Sequence, residues 1–285
     1  MESASQAIFE EWSPPIFLTA TLLLVSLIYL RGWLQIRKTR AAEFPVWRLV
    51  SFLLGTFVIW LAIASPLDGF ADALLSAHMV EHLLLMSFVP PLLLFGWPMV
   101  PLLRGLPGAL TRTVLGPLLR QRRLRQLGHW LTKPLVAWLA MNITFVAWHI
   151  PAAYDFALEN EYWHDVEHLC FLGTSILFWW PLIRPWPSRG ARLGWFALPY
   201  LVLADIVNTA LSAFLAFCER PVYSYYLREP NAFHFSPVVD QRAGAAAMWV
   251  IGSSVFLIPA VAITFRLLQR SGLRSGQSAI GIQRM

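Results

Sequence analysis

The chain is short of charge and of cysteine. Only 13% of its 285 residues are Asp, Glu, Lys or Arg, about half of what a soluble domain carries. The hydrophobic set makes up 57%, and the mean hydropathy is +0.57. No stretch is polar enough to form a separate soluble domain, so residues 1–285 are expected to form a single integral membrane domain. The two cysteines, Cys170 and Cys218, provide neither a disulfide framework nor a C-x-x-C site. Any metal would therefore depend on other ligands. The first fifteen residues lack a positive n-region and a small-residue cleavage site, so the first apolar segment is expected to be retained. No lipidation signal is visible.

Long apolar runs are what the chain does have. A bilayer core needs roughly 20 mostly apolar residues per helix. Seven segments qualify, at about 14–34, 47–65, 75–99, 133–150, 164–184, 195–218 and 243–268. The fold class is therefore all-α, a polytopic membrane helix bundle of seven transmembrane helices. Pro90-Pro91 should kink the third segment, because proline removes a backbone donor and crowds the preceding turn.

Charge orients the bundle. Nineteen of the twenty-two basic residues fall on one side, at Arg31–Arg48, Arg104–Lys133, Arg184–Arg192 and Arg266–Arg284. The other side carries Glu2, Glu10, Glu11, Asp68, Asp72, Asp155, Glu159 and Glu161, and only Arg220, Arg228 and Arg242 as basic residues. The positive-inside rule then places the N-terminus outside and the C-terminus in the cytoplasm. The run RQRRLR at 120–125 has no interleaved aromatics and lies between spans, so it is read as a cytoplasmic topology determinant of a chain embedded in the lipid bilayer. Nucleic acid is not an expected partner. The pair Trp179-Trp180 is read as part of the cytoplasmic aromatic belt.

This topology gathers the histidines. His78 and His82, in HMVEH, begin the third span, and His164 and His168, in HDVEH, begin the fifth. His149 ends the fourth span and His234 lies in the last outer loop, whereas His129 is cytoplasmic. Residues four apart share a helix face. Each pair could chelate one metal, or send one imidazole to the metal and the other to a neighbour. Glu81 and Glu167 could accept the second imidazole N–H as supporting groups. A lone interfacial histidine is ordinarily a hydrogen-bonded amphipathic side chain. Five at one depth, with two glutamates, mark a functional site because intramembrane ionisable groups are costly.

The ligand type points to Cu(I), which is drawn to imidazole and thioether donors, with Met79, Met86 and Met248 as candidate thioethers. For Met86 ordinary packing is the stronger reading. Zinc, held by two histidines and a third ligand with glutamate as base, and haem, held between facing histidines, remain alternatives. The duplicated H-x-x-E-H motif weakens a protease reading, because one catalytic zinc needs one copy. Asp205 and Asn208, one turn apart in the sixth span, could form a polar relay or an interhelical hydrogen-bond network. Asp68, in SPLD, could cap the following short helix or approach the histidines, capping being preferred.

The segments SPLDGFADALLSAHMVEHLLLMSFVPPLLLFGWP (65–98), WHIPAAYDFALENEYWHDVEHLCFLGTSILFWWPLI (148–183) and DQRAGAAAMWV (240–250) resemble the CtaG-type cytochrome c oxidase assembly factors, a multi-span bacterial membrane family. The likeness runs from about the second span to the seventh. It implies a role in producing active haem-copper oxidase in the bacterial inner membrane, with copper as the cargo. The implied partners are oxidase subunits and periplasmic copper chaperones. Carried over by position, it highlights His78, His82, His149, His164 and His168, and Asp240-Gln241 with Met248-Trp249. Many relatives have glutamine where this chain has Glu81, which argues against Glu81 as an obligatory catalytic base. The expectation is a copper-binding assembly factor rather than an enzyme. Its metal ligands would be the five histidines and Met248, with Glu81, Glu167, Asp240 and Asp68 in support. A membrane zinc hydrolase, a haem-binding redox protein and a metal-free assembly scaffold are the rivals.

Overall fold

Proline and small polar residues set the helix starts. In the computed structural model, which describes residues 6, 8–10, 12–188, 193–228 and 233–282 (side chains only as far as Ser271), proline is the first residue of four helices. These are α3 (Pro66–Ala73), α8 (Pro134–Trp148), α9 (Pro151–Leu158) and α13 (Pro237–Ala247). Its missing N–H costs nothing there, and its fixed φ suits a helix start. The others named below are α1 (Ile16–Arg40), α2 (Val46–Ile63), α4 (Leu75–Leu83), α5 (Val89–Phe95) and α6 (Met99–Gly105). Further along are α7 (Arg122–Leu131), α10 (Glu161–Ile183), α11 (Ala197–Phe217), α12 (Tyr225–Arg228) and α14 (Ser253–Ile282). No strand occurs among the described residues. Glu2, Glu11, Arg189, Arg192 and Arg284, and the Arg274 side chain, lie outside them.

Six helices are long and apolar enough to cross a membrane: Ile16–Arg40, Val46–Ile63, Leu75–Phe95, Glu161–Ile183, Gly194–Phe217 and Pro237–Ser271. The chain is a multi-pass, all-α membrane bundle. The segment expected at 133–150 differs. α8 has 15 residues, about 22 Å at the usual helical rise, which falls short of a bilayer core of about 30 Å. It passes as a seventh span only together with α7, from which it is bent by 67°. The break is local chemistry: Lys133, preceding Pro134, is held extended at φ −64° and ψ 135°.

The disturbance expected at Pro90-Pro91 takes the form of a π turn, Leu84–Phe88, joining α4 to α5. The Val89 N–H there bonds the Leu84 carbonyl five residues back. A second π turn, Met248–Gly252, joins α13 to α14. It is held by Asn208 of α11, whose Nδ2 donates to the Met248 carbonyl at 3.2 Å. A Cβ on Gly252 would lie 2.7 Å from that same Nδ2, so the asparagine sits where only glycine leaves room.

Packing divides the bundle into two ends. At the arginine end α1 lies against α6 and α2, with Tyr29 stacked on Phe52 at 3.8 Å and donating to the Gly96 carbonyl at 2.6 Å. Trp179 is core here rather than belt: it is 5% exposed and lies parallel to Phe256 at 6.5 Å, whereas Trp180 is half-buried. At the histidine end α4 packs on α3 and α13, and α10 on α8 and α9. A buried cluster that includes Met79, Phe145, Tyr154, Phe171 and Met248 packs between them.

Candidate metal centre

The two H-x-x-E-H motifs face each other across the interface of α4 and α10. Four-residue spacing brings the rings together along each helix: His78 and His82 meet edge-on with centroids 4.1 Å apart, and His164 and His168 are tilted at 4.2 Å. Across the interface the His78 and His164 rings stack at 5.1 Å, and those of His82 and His168 meet edge-on at 5.4 Å. The glutamates cross over. Glu81 Oε1 lies 3.4 Å from His168 Nε2, and Glu167 Oε1 lies 3.9 Å from His82 Nε2. Each motif thus sets its carboxylate against the other's second histidine.

Two groups of donor atoms result. One atom from each of His78, His82, His164 and Glu167 falls within a 4.8 Å set, and so does one from each of Glu81, His164 and His168. His164 belongs to both. His78, Glu81 and Glu167 are fully buried, and His82 and His168 nearly so. Despite this burial, both ring nitrogens of His78 and His82, both oxygens of Glu81 and Glu167, and Nε2 of His164 and His168 have no hydrogen-bond partner among the described residues. Leaving even one such group unsatisfied costs about 1–3 kcal/mol. A concentration of them in one place is what a site for a bound cation requires, and the nitrogen and carboxylate donors suit one.

His149 is set apart from the donor groups, and Met248 lies at the same cavity as it. The His149 ring is 6.3 Å from that of His82 and belongs to neither donor set. Its Nδ1 lies 2.7 Å from the Phe145 carbonyl, which fixes the proton there and leaves Nε2 as a lone pair without a partner among the described residues. Both residues instead line a separate small cavity deeper in the bundle.

The supporting residues act through the backbone. Asp240 does not touch the histidines. Its carboxylate accepts from the Leu75 and Ser76 N–H groups at 2.7 and 3.2 Å and from Ser76 Oγ at 2.5 Å, capping the helix that carries HMVEH. Gln241 accepts from the Val222 N–H at 2.7 Å and donates to the Leu215 carbonyl at 3.0 Å, fixing the loop after α11. Asp68 is not the cap of α3: Ser65 Oγ accepts from the Leu67 N–H and fills that role. A serine one residue before a helix-starting proline is better placed than a residue already inside the first turn. Asn208 bonds Met248 rather than Asp205, whose Oδ1 has no partner among the described residues, so the pair forms no continuous relay.

Asp68 instead belongs to an acidic rim with Asp72, Glu161 and Asp165. Burial first, then these neighbours, push its carboxyl up to about 6. The folded chain therefore holds a proton that the unfolded chain has lost, and stability falls as pH rises from about 4 to 6. Asp68→Asn is expected to add about 1–3 kcal/mol at pH 7.5 and little at pH 4.5. Thermal unfolding in detergent at both values checks this; an equal gain at both would count against it.

Aromatic residues over the site were not marked by the motifs. The Tyr154 ring lies 5.3 Å from His78 and stacks on Tyr223 at 3.9 Å, and Tyr226 donates to the Ala71 carbonyl. Asp155 accepts from the Ser224 N–H and Oγ and from the Tyr225 N–H, folding residues 222–226 across the histidine end. The run YSYY at 223–226 was the available signal. His234 is exposed, as is His129 at the other end.

A family model described as cytochrome c oxidase caa3 assembly factor (Caa3_CtaG) matches residues 27–270. An uncharacterized protein of Mycobacterium leprae is 27% identical over 273 residues, which are 90% of this chain and 39% of that protein. An uncharacterized protein of Mycobacterium bovis is 25% identical over 263 residues, 88% of this chain and 38% of its own length. The chain thus spans about two-fifths of the curated relatives it matches. No solved structure matches.

Proposed function

The chain belongs to the cytochrome c oxidase caa3 assembly factor family, and on that premise we propose that it binds Cu(I) between its two H-x-x-E-H helices and supports copper insertion into a haem-copper oxidase. The observation that carries this reading is the crossed array of buried imidazoles and carboxylates without hydrogen-bond partners. The charge distribution supports placing the site at the outer face of the bacterial inner membrane. Copper would then be received from, or passed to, a periplasmic chaperone or an oxidase subunit. The acidic rim of Asp68, Asp72, Glu161 and Asp165 would raise the local concentration of cations at the entrance.

Ligand exchange needs no nucleophile, and copper here is cargo. The histidines would hold it, and the crossed glutamates would offset its charge and orient the imidazole N–H groups. Zinc is a second reading, because three histidines and one carboxylate within 4.8 Å also suit that ion. Ring separations of 4.1–5.4 Å between neighbouring site histidines favour a bare ion over a haem slot. Elemental analysis and visible spectra of anaerobically purified protein should show copper at near-integral ratio and no Soret band. Stoichiometric zinc without copper, or stoichiometric haem, would overturn the assignment.

A further inference from the structure

Beneath the crossed histidines the bundle holds a cavity of about 40 Å³, room for a few waters. Its walls include Met79, Met86, Met141 and Met248, four of the seven methionines in the chain, together with His82 and His149. Methionine is a common gap-filler, and one or two in a core need no explanation. Here four converge from three different parts of the bundle on a space that they do not fill. The 96%-buried His149 also lines that space, with a free Nε2 lone pair.

We infer that this chamber is a second Cu(I) position, held by thioethers of the methionine wall and the Nε2 of His149. The inference rests on the copper reading above and extends it inward. Met79, His82 and Met86 follow one another at three- and four-residue steps down α4 and its π turn. Met86 therefore lies about 6 Å further along the helix than His82. His82 lines the chamber and also belongs to the upper donor set, so the two positions share a wall.

The donor sets differ in chemistry. The upper group contains carboxylates, whereas no carboxylate lines the chamber; its other polar groups are Asn142, Asn208 and Ser87, all neutral. The cost of burying an ion rises with the square of its charge, so an uncharged chamber tolerates a monovalent ion far better than a divalent one. Thioether ligation favours Cu(I) as well. The chamber would thus admit Cu(I) and reject Zn(II) and Cu(II), whereas the upper site could hold any of them.

The test uses the full chain with its methionines replaced by selenomethionine, loaded anaerobically with Cu(I). Selenium-edge X-ray absorption should show a Se–Cu contact, and the copper ratio should be two per chain. The volume-conserving change Met248→Leu, and separately His149→Leu, should lower the ratio to one. Met248→Leu should abolish the Se–Cu signal, because the copper that remains is held by histidines and carboxylates. Zn(II) should load to one per chain and give no selenium contact. Copper bound at one per chain without a Se–Cu contact, and unaffected by either substitution, would overturn the chamber and leave the upper site standing. A chamber holding only water gives that result. No copper in the parent protein would overturn both readings.

Discussion

His164→Ala alone should lower copper affinity of the site between the motifs more than any other single histidine substitution, and with His168→Ala it should empty that site. His164 is the residue common to both donor groups, so its loss strikes both at once. Removing a partner that only orients a metal ligand costs about 10–100-fold in affinity, and loss of a donor shared by two groups should exceed that. The crossed geometry adds a finer expectation. Glu81→Gln should interact energetically with substitution of His168, and Glu167→Gln with substitution of His82, because those are the pairs at 3.4 and 3.9 Å. Double-mutant cycles on copper affinity read this directly. Coupling confined to residues of the same motif would refute the crossed arrangement.

Stability separates this function from a purely structural role. Buried polar groups without partners lower the stability of the metal-free protein. Replacing Glu81 or Glu167 by a leucine should therefore hold or raise the melting temperature of the metal-free chain while weakening copper binding about 10–100-fold. A scaffold whose histidines and glutamates serve packing predicts the opposite, lower stability with no change in copper.

Much of this was legible in the sequence, and the boundary of legibility is physical. Apolar runs gave the spans because the bilayer demands a fixed length, and identical H-x-x-E-H spacing placed both motifs at one end. The facing of α4 and α10 and the crossing of Glu81 to His168 depend on helix rotation, which a lone motif does not encode. The span at 133–150 is shorter than its hydropathy suggests because Pro134 starts a new helix at an angle. Trp179 looked interfacial by composition but packs on Phe256, since an aromatic pair carries no sign of which face is inward. His149 and Met248 were grouped with the other donors by depth, ligand type and resemblance, and the three-dimensional packing puts both on a cavity that His82 also lines.

Asp240→Ala should destabilise the protein by about 2–4 kcal/mol and weaken copper binding, although Asp240 touches no donor. α4 begins at Leu75 after an extended Leu74, a residue that offers no capping side chain. Its first N–H groups would be orphaned in a buried setting, and an acidic side chain 165 positions away satisfies them. The carboxylate accepts three bonds, two from backbone N–H groups and one from Ser76 Oγ. An N-cap is worth about 1 kcal/mol and a hydrogen bond to a charged group about 1.5–3. The negative charge also complements the positive end of the helix that carries His78 and His82. Asp240→Asn should lose less, since an amide oxygen still accepts. Leu74→Asp should restore part of the loss in the Asp240→Ala background by supplying the cap from the chain itself. Thermal unfolding and copper titration of the four proteins test the coupling. If Asp240→Ala lowered stability while leaving copper affinity unchanged, the cap would hold the helix without positioning its histidines. That result would cut the proposed link between residues 240–241 and the site.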